Sequence, residues 1–85
     1  MPHIEIYTSR VCPYCIRAKR MLDAKGVQYE EHMLDLTPES RQALVDLTGR
    51  MTVPQIIVDG TPIGGYDDIA AMDQRGELDP LLGRS

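Results

Sequence analysis

No apolar run in this chain approaches the roughly 20 residues needed to span a bilayer. The first residues, Met1-Pro2-His3-Ile4-Glu5, carry neither the basic patch nor the long apolar stretch of a signal peptide. A cytoplasmic protein with no membrane partner is therefore expected. Repeats, linkers, low-complexity tracts and disordered segments are also missing. With 85 residues there is chain for one modest core and not for two, so residues 1–85 are expected to form a single domain. Cysteine is scarce: two residues, Cys12 and Cys15, and no more. A pair this close gains little as a structural staple, and in a reducing compartment a permanent disulfide is not expected. Zinc at the pair would need two more ligands, and His3 and His32 are both far away in sequence. No metal is expected there.

Positive charge is in deficit overall, with a net charge of −4, which argues against a general nucleic-acid binder. What there is has been concentrated. Arg10, Arg17, Lys19, Arg20 and Lys25 are five of the nine basic residues, and Asp23 is the only acid between residues 10 and 25. For Lys19 and Lys25 a solvated helix face is the expectation. For Arg10 and Arg17 the expectation is a role in holding a nearby thiol as thiolate.

That thiol belongs to Cys12-Pro13-Tyr14-Cys15. A thiol is a nucleophile only as thiolate, so its surroundings decide its chemistry. Pro13 suits the first position of a helix, where its missing N–H costs nothing. Cys12 then occupies the cap, facing free backbone N–H groups and the positive end of the helix dipole. Cys15 follows one turn later on the same face.

Around this motif the chain alternates strand and helix patterns. His3–Thr8 alternates polar and apolar residues, which predicts a strand. A helix is expected from Pro13 to Lys25, burying Cys15, Ala18 and Leu22, with Gly26 as its stop. Val27–Leu34 reads as a second strand, interrupted by Glu30-Glu31-His32. Strand, helix, strand in this length is a βαβ unit with parallel strands. Thr37-Pro38-Glu39 opens a second helix, with Ala43, Leu44 and Leu47 as its apolar stripe and Gly49 as its end. Gln55–Val58 is a short buried strand. Asp59-Gly60 turns it into Thr61-Pro62-Ile63 as a hairpin, and Pro62 places that last strand on an edge. A third helix is expected from Asp67-Asp68 to about Arg75, after which Leu81 and Leu82 pack back on the body. The sum is an α/β protein: a mixed four-stranded sheet flanked by three helices.

Three separated motifs, Cys12-Pro13-Tyr14-Cys15, Thr52-Val53-Pro54 and Gly64-Gly65-Tyr66-Asp67-Asp68, resemble those of the glutaredoxins, in particular the small bacterial dithiol kind (the glutaredoxin 3 type). The resemblance runs from Ile4 to Leu82. It implies the thioredoxin fold and a glutathione-dependent thiol–disulfide oxidoreductase. Glutathione would be a co-substrate, with no tightly bound cofactor. Cys12 would be the nucleophile and Cys15 the resolving thiol, the two forming a redox-active disulfide. Tyr14 would pack beside bound glutathione, or else only shield the disulfide. A cis Val53–Pro54 bond is implied, presenting the backbone of Val53 to an extended tripeptide as a strand would, with Thr52 and Pro54 beside it. Gly65 would permit close approach, and Asp67 and Asp68 would take the γ-glutamyl end, unless they serve only as helix caps. Many members have a lysine three residues before the nucleophile, where this chain has Ser9. Arg10 and Arg50 are the candidates to replace it at the glycine carboxylate of glutathione.

The implied partners are glutathione and proteins carrying disulfides or glutathione adducts, ribonucleotide reductase among the candidates. A monomer is expected. Two other readings share the motif. One is a redoxin reduced by thioredoxin reductase, which would not need the Gly64–Asp68 element. The other is an iron–sulfur module held by Cys12 and glutathione, which the stiffening Pro13 disfavours.

Overall fold

Eight elements make up the chain in a computed structural model that describes residues 2–83. They are β1 (Ile4–Ser9), α1 (Pro13–Ala24), β2 (Glu30–Leu34), α2 (Pro38–Thr48), β3 (Gln55–Val58), β4 (Thr61–Gly64), α3 (Tyr66–Gln74) and α4 (Leu78–Leu81). The strands form one sheet in the order β2-β1-β3-β4. β1 runs parallel to β2 and antiparallel to β3, and β3 is antiparallel to β4. This is the thioredoxin fold.

The alternation in β1 sends Ile4, Ile6 and Thr8 into the interior. Ile4 and Ile6 meet Ala18 and Leu22 of α1, Ile56 and Val58 of β3, and Ile69, Leu78 and Leu82 from the C-terminal helices. Cys15, Ala18 and Leu22 are the buried face of α1, as their spacing predicts. The local punctuation also behaves as its chemistry dictates. Thr37 caps α2, its hydroxyl oxygen accepting from the Ser40 N–H at 3.2 Å, and Gly49 ends it in the left-handed region at φ 77°. Asp59 and Gly60 both have positive φ, 51° and 81°, as a type I′ hairpin requires. Pro62 lies on the edge strand β4, where its missing donor is harmless.

Four expectations are corrected. The second strand starts at Glu30, because Val27 is still closing α1, its N–H reaching the carbonyl of Leu22 at 3.4 Å. The Glu30-Glu31-His32 stretch is therefore the strand itself, and it survives on a sheet edge where charged side chains stay wet. In α2 only Leu44 is buried; Ala43 and Leu47 are exposed, since α2 meets the sheet over a narrow contact at β4. A fourth helix, α4, follows the three expected. It buries Leu78 and Leu82, four residues apart on one face, and leaves Leu81 exposed.

The last correction concerns Lys19 and Lys25, which are paired rather than simply solvated. Lys19 Nζ lies 3.0 Å from Glu31. Lys25 binds the carboxylate of Asp73 and, at 2.8 Å, that of Asp79, tying the end of α1 to α3 and α4. These hydrogen bonds raise the pKa of the Lys25 ammonium above its ordinary value. Among the described residues, no helix is long and apolar enough to cross a membrane.

Candidate active site

β1 delivers the chain to a three-residue loop that ends at the cap of α1. Cys12 is the N-cap residue, extended at φ −151°, and Pro13 follows at the first helical position. The Cys15 N–H donates to Cys12 Sγ at 3.1 Å. A sulfur at this point accepts a backbone donor and faces the positive helix end, two effects that favour thiolate over thiol. The two cysteines, 5.2 Å apart at Cα, are joined as a disulfide. Cys12 is half-buried and Cys15 is 2% exposed. An incoming thiol therefore meets Cys12 first.

The loop before β3 closes on the cysteines from the other side. The Val53–Pro54 bond is cis, and the Val53 carbonyl oxygen sits 3.7 Å from Cys12 Sγ. Beside it opens a groove of about 170 Å³. Its walls are Tyr14 from α1, Arg50 to Pro54 except Met51 from the loop, and Gly65, Asp67 and Asp68 from the start of α3. Eight of the nine non-cysteine candidates thus line the groove, and Cys12 adjoins it through Val53.

Asp68 is the electrostatic centre of the far wall. Its Oδ2 accepts the Gly65 N–H at 2.9 Å and Arg50 Nη1 at 2.7 Å. The Gly65 hydrogen bond, and then the Arg50 guanidinium, hold its carboxyl below the usual range. Gly64 makes this possible: at φ 117° a Cβ there would stand 2.6 Å from the Asp68 Cβ, closer than side chains pack. The N–H groups of Tyr66, Asp67 and Asp68 belong to the first helical turn, where helix geometry gives them no intrahelical acceptor. A carboxylate fits such a terminus.

The depressed Asp68 pKa has a consequence for stability. Its unfolded value is near 4, so its contribution is complete above about pH 4 and is lost as pH falls through the lower folded value. Glu31 and Asp35 are depressed in the same direction, Glu31 chiefly by the Thr8 hydroxyl and Asp35 by that of Ser40. Asp68→Asn should therefore flatten the acid limb of a Tm-against-pH curve below about pH 4. An acid limb identical to that of the unaltered protein would contradict this.

Two expected cations are elsewhere. Arg10 is exposed and does not line the groove. Arg17 lies over the Tyr14 ring, 5.3 Å from its centroid, a cation–π arrangement rather than a thiolate contact. Ser9 is buried at the end of β1, so no cation stands at the position where the resemblance implies one.

Two lining residues carry no role in the sequence reading, Gln55 and Tyr66, the latter inside the third motif. The Tyr66 ring faces Tyr14 with centroids 6.0 Å apart and forms an aromatic rim with it. Gln55 is 1% exposed, its Nε2 donating to the Thr52 hydroxyl at 3.3 Å. Its Oε1 is buried without a partner. The available signal was a lone amide opening the otherwise apolar run Gln55-Ile56-Ile57-Val58.

A helix-capping cysteine, a second cysteine one turn on and an apposed cis-proline loop define a thiol–disulfide oxidoreductase of thioredoxin fold. The glutaredoxin family model matches residues 4–63. The chain is 50% identical over 82 residues to glutaredoxin 3 of Escherichia coli K12, covering 96% of this chain and 99% of that protein. It is 49% identical to a glutaredoxin of Pseudomonas aeruginosa, covering 96% and 98% of the two chains. The solution structure of a Brucella melitensis glutaredoxin superposes with a TM-score of 0.81 at 42% identity, over 94% of this chain and 87% of that one. A buckwheat glutaredoxin–glutathione complex superposes with a TM-score of 0.86 at 30% identity, over 96% and 77%. The chain belongs to the glutaredoxin family.

Proposed function

We propose that the chain, acting as one domain over residues 1–85 and as a monomer in the reducing cytoplasm, uses glutathione to reduce protein disulfides and protein–glutathione mixed disulfides. The observation that carries this reading is the groove beside Cys12, whose chemistry suits both ends of a zwitterionic tripeptide. The Asp68 carboxylate suits an α-ammonium. The first-turn amides of α3 suit the adjacent carboxylate, and Arg50, paired with Asp68 at 2.7 Å, would have to swing away from it to meet the carboxylate at the other end. Val53 offers its backbone next to the sulfur. That a buckwheat relative of the same fold has been solved with glutathione supports the assignment.

In the one-cysteine route the Cys12 thiolate attacks the glutathione sulfur of a mixed disulfide. The protein thiolate leaves, and glutathione remains bonded to Cys12. A second glutathione thiolate attacks that sulfur, releasing oxidised glutathione and regenerating the Cys12 thiolate. In the two-cysteine route Cys12 attacks a protein disulfide, and Cys15 displaces the second protein thiolate to form the Cys12–Cys15 bond. Two glutathione molecules then reduce it. A stabilised Cys12 thiolate serves as attacking group in the first step and as good leaving group in the last. Ribonucleotide reductase is one candidate protein substrate for the second route.

Coupled assays separate this reading from a thioredoxin-like one. Turnover of a small glutathione mixed disulfide should proceed with glutathione, glutathione reductase and NADPH. It should be at least about tenfold slower when thioredoxin reductase replaces the glutathione system, because only glutathione engages the groove. Equal or greater turnover with thioredoxin reductase would overturn it.

A further inference from the structure

The face of the sheet opposite the main core carries a second cluster of chemistry-bearing side chains, at the end remote from the cysteines. His3 directly precedes β1, and Glu5 is the second residue of that strand. Glu30 opens β2, and His32 is two residues on. Parallel pairing sets Glu5 opposite Glu30 and Tyr7 opposite His32. The two-residue side-chain period then puts all four on one face. His3 to Ser9 spans about 20 Å of extended chain, so this cluster and the Cys12 sulfur stand far apart.

The geometry is convergent. His32 Nε2 is 3.1 Å from Glu5 Oε1 and 3.6 Å from Glu30 Oε2. His3 Nε2 is 3.8 Å and 3.7 Å from the same two oxygens. Four ligands at zinc-like bond lengths of about 2.0–2.2 Å, arranged tetrahedrally, stand roughly 3.3–3.5 Å from one another. The four imidazole–carboxylate separations lie within about half an ångström of that range; the His3, Glu5 and Glu30 donors already converge, and His32 completes the set by a further side-chain movement toward them. His3, Glu5 and Glu30 each offer a donor atom within 4.8 Å of the others.

The electrostatics point the same way. Two carboxylates directly opposite each other on adjacent strands destabilise the pair, and no lysine or arginine forms an ion pair with Glu5 or Glu30 among the described residues. The His32 ring packs on Tyr7 at 4.8 Å between centroids, which limits its freedom before any ligand arrives.

We propose that His3, Glu5, Glu30 and His32 bind one divalent ion of the zinc class, pinning edge strand β2 to β1. Four protein ligands leave no open coordination position, so the site is structural and not catalytic. Two neutral imidazoles and two carboxylates give the ion a neutral first sphere. The cysteines are not involved. Sequence distance between His3 and His32 argued against zinc at Cys12 and Cys15, and the same two histidines instead come together here.

The test uses the full chain in its disulfide form, in which the cysteines cannot bind metal. Calorimetric titration with Zn²⁺ at neutral pH should show one site per chain, and Co²⁺ should give the intense visible bands of a tetrahedral complex. His32→Ala and Glu30→Gln should each weaken Zn²⁺ binding by about tenfold or more, since even outer-sphere changes at metal sites cost that much. Glu30→Gln keeps the side-chain shape and guards against a folding artefact in the histidine variant. A Cys12→Ser/Cys15→Ser double variant should bind Zn²⁺ as well as the unaltered chain. Saturable one-site binding that depends on both residues supports the proposal. Three results would overturn it: no binding at millimolar Zn²⁺, binding that both single variants retain, or binding that the double cysteine variant loses.

Discussion

Cys12→Ser is expected to reduce turnover on a glutathione mixed disulfide by about a thousandfold or more, the scale on which loss of a nucleophile acts. A serine hydroxyl at the same helix cap stays protonated at neutral pH and cannot form the exchanging disulfide. Cys15→Ser, by contrast, should stay within several-fold of the unaltered protein on that substrate and lose reduction of protein disulfides. The asymmetry has a structural origin. The group that Cys15 gives to Cys12 is its backbone N–H, 3.1 Å from the sulfur, and this donor survives replacement of the side chain. The substitution does bury a hydroxyl where Cys15 is 2% exposed, and an unpartnered one costs about 1–3 kcal/mol. Cys15→Ala separates that stability effect from chemistry. Stopped-time assays on a small mixed disulfide and on a protein disulfide check both arms. If both Cys15 variants were inactive on the small substrate, the division of roles between the cysteines would be wrong.

Leu22→Ala should cost about 2–5 kcal/mol of folding stability, the usual range for a buried leucine. Leu22 is fully buried and stands among Ile4, Ile6, Ile69 and Leu78. With the Lys25 ion pairs beyond it, it holds the C-terminal half of α1 while the N-terminal end presents the cysteines. Small domains have about 5–15 kcal/mol in total, so this one change removes a large share. Denaturant unfolding should show the midpoint falling steeply. Leu47→Ala is the matched comparison: Leu47 is 43% exposed on α2, and its loss should cost less than about 1 kcal/mol. Equal effects at the two leucines would contradict the burial described for α2.

That contrast shows where the sequence could be followed and where it could not. Caps and turns are decided by neighbours a few residues away. Thr37, Gly49, Pro13 and the Asp59-Gly60 turn could therefore be read directly. The buried face of α1 was legible because three spaced apolar residues meet a full sheet. The stripe on α2 looked equally good on spacing and failed, because how much of a helix is covered depends on the position of β4. Lys19 and Lys25 were misplaced for the same reason: Glu31 and Asp73 are 12 and 48 residues away in sequence. Gln55 and Tyr66 enter the groove only once β3 and α3 are side by side. The cis Val53–Pro54 bond was reachable through resemblance alone, since nothing in the residues themselves distinguishes it from a trans bond.

The Arg50–Asp68 contact across the groove bears on how a ligand is admitted. Arg50 and Asp68, on opposite walls of the groove, pair with each other at 2.7 Å. A zwitterionic ligand therefore does not meet two bare charges; it trades one internal ion pair for two external ones. Because charges are exchanged and not newly neutralised, the affinity of such a ligand should depend only weakly on ionic strength. A singly charged anion or cation would break the pair and leave one member without a counterpart. If the groove takes the proposed ligand, the contact would act as a filter on charge type, favouring molecules that carry both signs at the right spacing over those that carry one.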